Sequence, residues 1–386
     1  MGKNLVVCCD GTANEFARDN TNVVKLYMTL QLDDQARQVA FYHPGLGTME
    51  PAGALTTLAR KVTKLLGMAI GYGLESDIRD AYVFLMRHFE EGDRVFFFGF
   101  SRGAYTVRCV CSLLHLYGLL RPGNETLVPY AVRMMMAIQR AGPESGGSRE
   151  QLREYFALAE AFKQSMGRAD CKPHFVGVWD TVSSVGWIEN PLKLPFVTNN
   201  PDIAIGRQAV ALDERRAFFR HHLWRRPEDT DAPSKPYGPE NVKQVWFPGV
   251  HCDVGGGYPE AESSLAKIPL EWMLEEARTA GLLVNEDRAK LVLGQVPGKN
   301  FAPPDANGAM HESLKGLWKL AEFVPKPHYD WVSGTTRRRM NLFRRRTIPP
   351  KAHVHASAFE RAGDYRKRLP ADAVRVETER APKEHP

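Results

Sequence analysis

Apolar residues in this chain fall into short unbroken runs, and longer stretches with helical spacing separate them. The runs cover residues 4–9 (NLVVCC), 39–42, 95–98 (VFFF), 174–179 and 242–247. An unbroken run, unlike an alternating one, marks a strand covered on both faces. Between the runs, Val23, Leu26, Tyr27 and Leu30 lie on one side of a helix over 22–32. Comparable spacing predicts helices over 55–66, 75–90, 106–120, 130–140, 150–164 and 269–280. Strand and helix in alternation predict an α/β fold, a mostly parallel sheet with helices on both faces. Helices 130–140 and 150–164 flank the loop 142–148 and form a helical insertion, residues 121–170, placed to cap a site. Residues 1–285 are therefore expected to form one core that includes this insertion. Residues 286–386 form a loop-rich extension packed on it, with a short helix over 313–323. No internal repeat is visible.

The chemistry gathers at the ends of the runs. The third run leads into Gly99-Phe100-Ser101-Arg102-Gly103, a G-x-S-x-G motif, and helical spacing follows at once. Strand, sharp turn and helix are the setting of a nucleophile elbow. The serine sits on a strained turn, and Gly99 and Gly103 leave room for the neighbouring backbone. The Arg102 N–H, at the helix start, can point at a developing oxyanion. Two further polar residues follow later runs, Asp180 after 174–179 and His251 after 242–247. Ligands of open α/β sheets sit beyond those strand ends, and serine, acid, histidine is the chain order of α/β-hydrolase triads. His251 suits the base that activates Ser101. Asp180 is the first candidate to orient the imidazole, because triad acids usually lie on a different loop from the histidine. Asp253, two residues from His251, is the second candidate, or else it caps the Gly255-Gly256-Gly257 turn. The loop Asp10-Gly11-Thr12 ends the first run. A phosphatase of the aspartyl-phosphate type needs an aspartate where Cys8 stands, so Gly11 or Thr12 is read as the second oxyanion donor, with Asp10 tying down the loop. Asp10 and Asp253 do not complete a metal-ligand set, and no metal or cofactor is expected.

Composition adds limits. No apolar stretch spans a bilayer, and no basic-apolar-cleavage pattern opens the chain. The six cysteines lie mostly in apolar stretches without zinc spacing, which reads as reduced, buried thiols and synthesis in the cytoplasm. Export by a signal-independent machine stays open. The formal net charge is +6, with much of the excess in Arg337-Arg338-Arg339 and Arg344-Arg345-Arg346. These are read as solvated or acid-paired arginines, with attraction to anionic lipid headgroups as the functional alternative. No motif for nucleic-acid recognition accompanies them.

The pieces CCDGTANEF, TNVVKLY, YGLESDIRDAYVFL, GFSRGAYTVR, GVWDTVSSVG, ALDERRAFFRHHLW and VWFPGVHCDVGGGY occur in that order. In this combination the chain resembles the catalytic domain of the bacterial type VI secretion phospholipase effectors and their wider α/β-hydrolase family. The resemblance implies a Ser101, Asp180, His251 triad and phospholipase A or lipase activity on lipid esters. It also implies contact with a membrane surface and, for an effector, a secretion-system partner. Asp213-Glu214-Arg215-Arg216 falls in a matching piece and is read as structural charge beneath the site loops. Two alternatives stay open: an esterase or thioesterase acting on a soluble or polymeric ester, and a non-catalytic lipid- or protein-binding module of the same fold.

Overall fold

In the computed structural model the apolar runs become the strands of one sheet. The structure describes residues 2–11, 19–45, 70–142, 147–182, 186–187, 190–191, 194–224, 241–316, 318–330 and 335–379. The sheet strands are β1 (Asn4–Cys9), β2 (Gln38–His43), β3 (Arg94–Phe100), β4 (Pro173–Trp179), β5 (Ile205–Ala211), β6 (Asn241–Phe247), β7 (His353–His355) and β8 (Val374–Val376). Their spatial order is β2-β1-β3-β4-β5-β6-β7-β8, and every pairing is parallel.

Alternate side chains of each strand serve two different cores, which is why the runs are unbroken. Leu5, Val7 and Cys9 join Val95, Phe97, Val176 and Val178 on one face. There they meet helices α2 (Ile70–His88), α3 (Arg102–Tyr117), α4 (Val128–Ala141) and α5 (Arg149–Met166). Val6, Cys8, Phe96, Phe98 and Trp179 face the other side, against α1 (Asn22–Thr29) and α6 (Ser264–Thr279). Phe96, Phe97 and Phe98 are fully buried, each contributing about 1.5–3 kcal/mol of transfer free energy.

Helix ends follow local chemistry. The Thr21 hydroxyl caps α1 at the Val24 N–H, and Ser148 and Gln151 form a capping box at the start of α5. The elbow helix stops at Tyr117, short of the expected residue 120, because Gly118 takes φ 66° and turns the chain out. The expected helix over 55–66 lies outside the described residues.

Two features depart from the expectations. β5 was not foreseen, because IGRQAVA carries Arg207 and Gln208 in mid-strand. The fold buries both by pairing them: Arg207 with Glu276 and Asn241, and the Gln208 amide oxygen with the Arg108 guanidinium at 2.7 Å. Arg108, on the elbow helix, also lies over the Trp224 ring. The region beyond 285 is less loop-like than expected. It supplies β7 and β8 at the sheet edge and a two-stranded hairpin, Lys326–Asp330 with Thr335–Arg339. The helix expected over 313–323 is a single turn, Trp318–Ala321. Among the described residues, no helix is long and apolar enough to cross a membrane.

The strand order reverses at β1, so β2 and β3 flank it and lead off in opposite directions. A crevice opens at the carboxyl ends of strands at such a switch point. Ser101 follows β3 there, beside the end of β1.

Candidate active site

The elbow explains its own glycines. Ser101 adopts φ 58° and ψ −120°, a strained conformation for a residue with a side chain. A Cβ at Gly99 would lie 2.7 Å from Gly103 O, and one at Gly103 would lie 2.2 Å from Cys9 O. Bare glycines therefore let α3 start directly against the ends of β1 and β3. The Ser101 carbonyl accepts from Val182 N–H at 3.4 Å, and its N–H donates to Trp179 O at 3.1 Å.

The loop after β6 brings His251 to the serine. Its Nε2 lies 2.8 Å from Ser101 Oγ, and its Nδ1 lies 2.5 Å from Asp180 Oδ2. A carboxylate only accepts, so Nδ1 carries the imidazole proton and Nε2 accepts from the serine hydroxyl. The ring lies between Phe100, centroids 4.6 Å apart, and Phe219, 4.9 Å. Space for the Phe100 ring exists because residue 255 is glycine; a Cβ there would overlap it at 1.9 Å.

Asp180 is fully buried and takes φ 38°, tolerated by aspartate. The unforeseen β5 holds it at both ends. The Asp180 N–H donates to Ala209 O at 2.7 Å, and Oδ1 accepts from Ala211 N–H at 3.0 Å. Arg346 then grips the carboxylate with two nitrogens, 2.5 Å from Oδ1 and 3.0 Å from Oδ2. Its Nε also donates to Phe219 O at 2.8 Å, so one guanidinium ties the acid to the ring that covers His251. The Arg344-Arg345-Arg346 cluster is thus not wholly solvated: the Arg346 side chain is 5% exposed. Nothing in the sequence links residues 166 positions apart, and this partner was not foreseen.

Burial opposes ionisation of Asp180, but Arg346 and the hydrogen bond from His251 outweigh it and hold the carboxyl well below its usual range. Burial lowers the His251 pKa from its ordinary value, with Asp180 opposing. Glu214 sits beneath, as its motif suggested. Its carboxylate accepts from His251 N–H at 3.2 Å and pairs with Arg216 at 3.0 Å. Burial would raise its pKa, yet Arg216 holds it at about 2.

The other predicted residues have different places. Asp253 does not reach the His251 ring. It accepts from Val250 N–H at 3.0 Å and pairs with His311 at 2.6 Å, closing the loop that carries His251. Asp10 does tie its loop, accepting from Thr21 Oγ1 at 2.6 Å and Tyr42 Oη at 3.0 Å. The Gly11 N–H, expected to face an oxyanion, donates to Asp10 Oδ1 at 2.6 Å and is turned inward to that carboxylate. Thr12 lies outside the described residues. Arg102 N–H stands at the first turn of α3, while its partly buried guanidinium feels the charge of Asp77. Five cysteines are buried, none is in a disulfide, and burial pushes the partly exposed Cys252 thiol up to about 12. Among the described residues, no group of three His, Cys, Asp or Glu side chains has a metal-holding arrangement.

The parallel α/β sheet, with Ser101 on a strained strand-to-helix turn at its switch point and His251 and the buried Asp180 in line behind it, has an α/β-hydrolase-like fold. The chain belongs to the family of type VI secretion phospholipase effectors of the Tle1-like kind, whose catalytic-domain model matches residues 3–276. It is 35% identical over 226 residues to the uncharacterized protein YEL023C of Saccharomyces cerevisiae, covering 57% of this chain and 32% of that protein. The chain thus spans about a third of the curated relative it matches. Similar solved structures include an uncharacterized protein from Pseudomonas aeruginosa, with TM-score 0.43 and 17% identity over 73% of this chain and 47% of that one. Another is the Tle1 effector bound to the VgrG spike of the type 6 secretion system, with TM-score 0.34 and 18% identity over 68% and 52%.

Proposed function

We propose that this protein is a serine hydrolase of carboxylic esters, acting on lipid esters in the manner of a phospholipase A or lipase. The observation that carries the reading is the unbroken hydrogen-bonded line from Ser101 through His251 to Asp180. Family membership supports the lipid substrate. Ser101 Oγ attacks the ester carbonyl while His251 Nε2 takes its proton. Asp180 steadies the imidazolium, and Arg346 keeps Asp180 ionised. The Arg102 N–H stabilises the oxyanion, with Thr12 as the expected second donor now that Gly11 is turned to Asp10. His251 then returns the proton to the departing alcohol and activates the water that clears the acyl-enzyme. The family also motivates a secretion-system partner and delivery by that route.

The test is labelling with a fluorophosphonate, followed by mass spectrometry of products from mixed phospholipids. Ser101 is expected to label stoichiometrically and to release fatty acid, and Ser101→Ala is expected to do neither. A folded protein that labels no better than Ser101→Ala overturns the proposal.

A further inference from the structure

Trp318 and Arg346 border the active site, and the described residues around them, 318–323 and 337–346, present an unusual outer surface. Among the described residues, few large apolar side chains stand exposed, and four of them are here: Leu320 at 66%, Phe323 at 50%, Met340 at 41% and Leu342 at 44%. They form one patch. The turn Trp318–Ala321 and residue 323 pack on 341–343, where Leu342 N–H donates to Glu322 O at 3.3 Å and the Phe323 and Phe343 rings lie 5.8 Å apart. Leu342 and Phe343 both take positive φ, 48° and 62°, a costly conformation for bulky residues. It is held by the buried Glu322 carboxylate, which accepts from Phe343 N–H at 3.0 Å and from Ala217 N–H at 2.6 Å. The fold thus uses a buried charge and a strained turn to keep Leu342 in solvent.

The exposed charge around the patch is mostly positive. Lys319, Arg337, Arg338, Arg339, Arg344 and Arg345 are exposed, while Glu322 is turned inward and the exposed Glu312 is paired with Arg215. The exposed apolar residues of α5, such as Tyr155 and Leu158, lack this contrast, since Glu150, Glu154 and Glu160 share their helix. The patch is also close to the chemistry. Trp318 stacks edge-on against Phe219 at 5.3 Å, and Phe219 covers the His251 ring.

We propose that this face docks on an anionic phospholipid bilayer, with Leu320, Phe323, Met340 and Leu342 entering the acyl boundary and the arginines lying at the headgroups. Apolar tips beside exposed guanidinium groups match that interface and its negative potential. The inference rests on the lipid-ester reading of the neighbouring site and specifies how substrate is approached.

The experiment is co-sedimentation of the full chain carrying Ser101→Ala, which prevents hydrolysis, with vesicles of phosphatidylcholine alone or mixed with phosphatidylglycerol. Binding is expected to the mixed vesicles and to weaken with salt. The double variant L320D/F323D and the triple variant R337E/R338E/R339E should each lose it, the triple by about a hundredfold in affinity. In chains retaining Ser101, the same substitutions should leave hydrolysis of a soluble short-acyl ester at the parent rate. Parent-like vesicle binding by both variants, or no vesicle binding by any form, overturns the docking face; the second result points to a protein partner instead. Absence of soluble-ester turnover and of fluorophosphonate labelling in the parent would instead remove the hydrolase reading, whichever way the vesicles behave.

Discussion

Arg346 changes what the buried acid can do. A carboxylate with no exposure would be costly to ionise, and the bidentate guanidinium keeps it charged where His251 needs it. Arg346→Ala leaves that charge without its cation, which costs about 3–5 kcal/mol in comparable buried pairs. A lower melting temperature and a fall in kcat of about tenfold or more are expected, with partial recovery in Arg346→Lys. The same change separates positioning from mere scaffolding through pH. In the parent, burial lowers the His251 pKa, so the acid limb of kcat/KM should lie below the ordinary histidine value of 6.5. Without Arg346 the full charge of Asp180 favours the imidazolium, and the limb should move to higher pH. A limb that stays put while stability drops would reduce Arg346 to a structural role. Ser101, Asp180 and His251 could be singled out as candidates in the sequence because each lies at or shortly past the end of an apolar run. Arg346 was not, since a guanidinium on a distant loop carries no mark of the carboxylate it will meet.

At the level of elements, the site depends on how closely strands and helices approach. Gly103 sets the distance between α3 and β1, and Gly255 sets the room for Phe100 beside His251. Gly103→Ala drives a methyl into the Cys9 carbonyl and is expected to abolish the folded state, seen as loss of the cooperative melt. Gly255→Ala meets a side-chain ring, which can shift. The protein should fold, with stability reduced by about 1–3 kcal/mol and ester turnover reduced further as Phe100 moves against the imidazole. The elbow motif shows its glycines in sequence. Gly255 does not, because its constraint comes from a phenylalanine at the end of β3, distant in the chain. β5 was hidden for a related reason: Arg207 and Gln208 look incompatible with a buried strand until Glu276, Asn241 and Arg108 supply partners.

Across the whole molecule, most of the shifted acids and bases respond to pH with one sign. The Glu214 folded pKa of about 2 lies below its ordinary 4.5, and that of Asp180 lies lower than usual too. Such groups stabilise the fold above the unfolded carboxylate range and lose that contribution as pH falls toward their folded values. His221, at about 3, and His355, at about 4, are buried neutral below the ordinary 6.5, so acid again favours the unfolded chain. Asp77, raised to about 7, opposes the trend. The melting temperature is therefore expected to fall as pH drops below about 6.5, and more steeply below about 4.5. A flat profile between pH 7 and 4 would contradict these assignments.

The sequence by itself determined the alternation of strand and helix, the elbow, and the order serine, acid, histidine. Each is written in local patterns, apolar runs and the residues that end them. Tertiary structure alone decided which carboxylate meets His251, that Gly11 turns to Asp10, and that β5, β7 and β8 complete the sheet. It also decided that one arginine of a basic cluster turns inward while others face solvent. Those outcomes depend on which distant groups share a buried space, where an unpaired charge is costly and a paired one is kept.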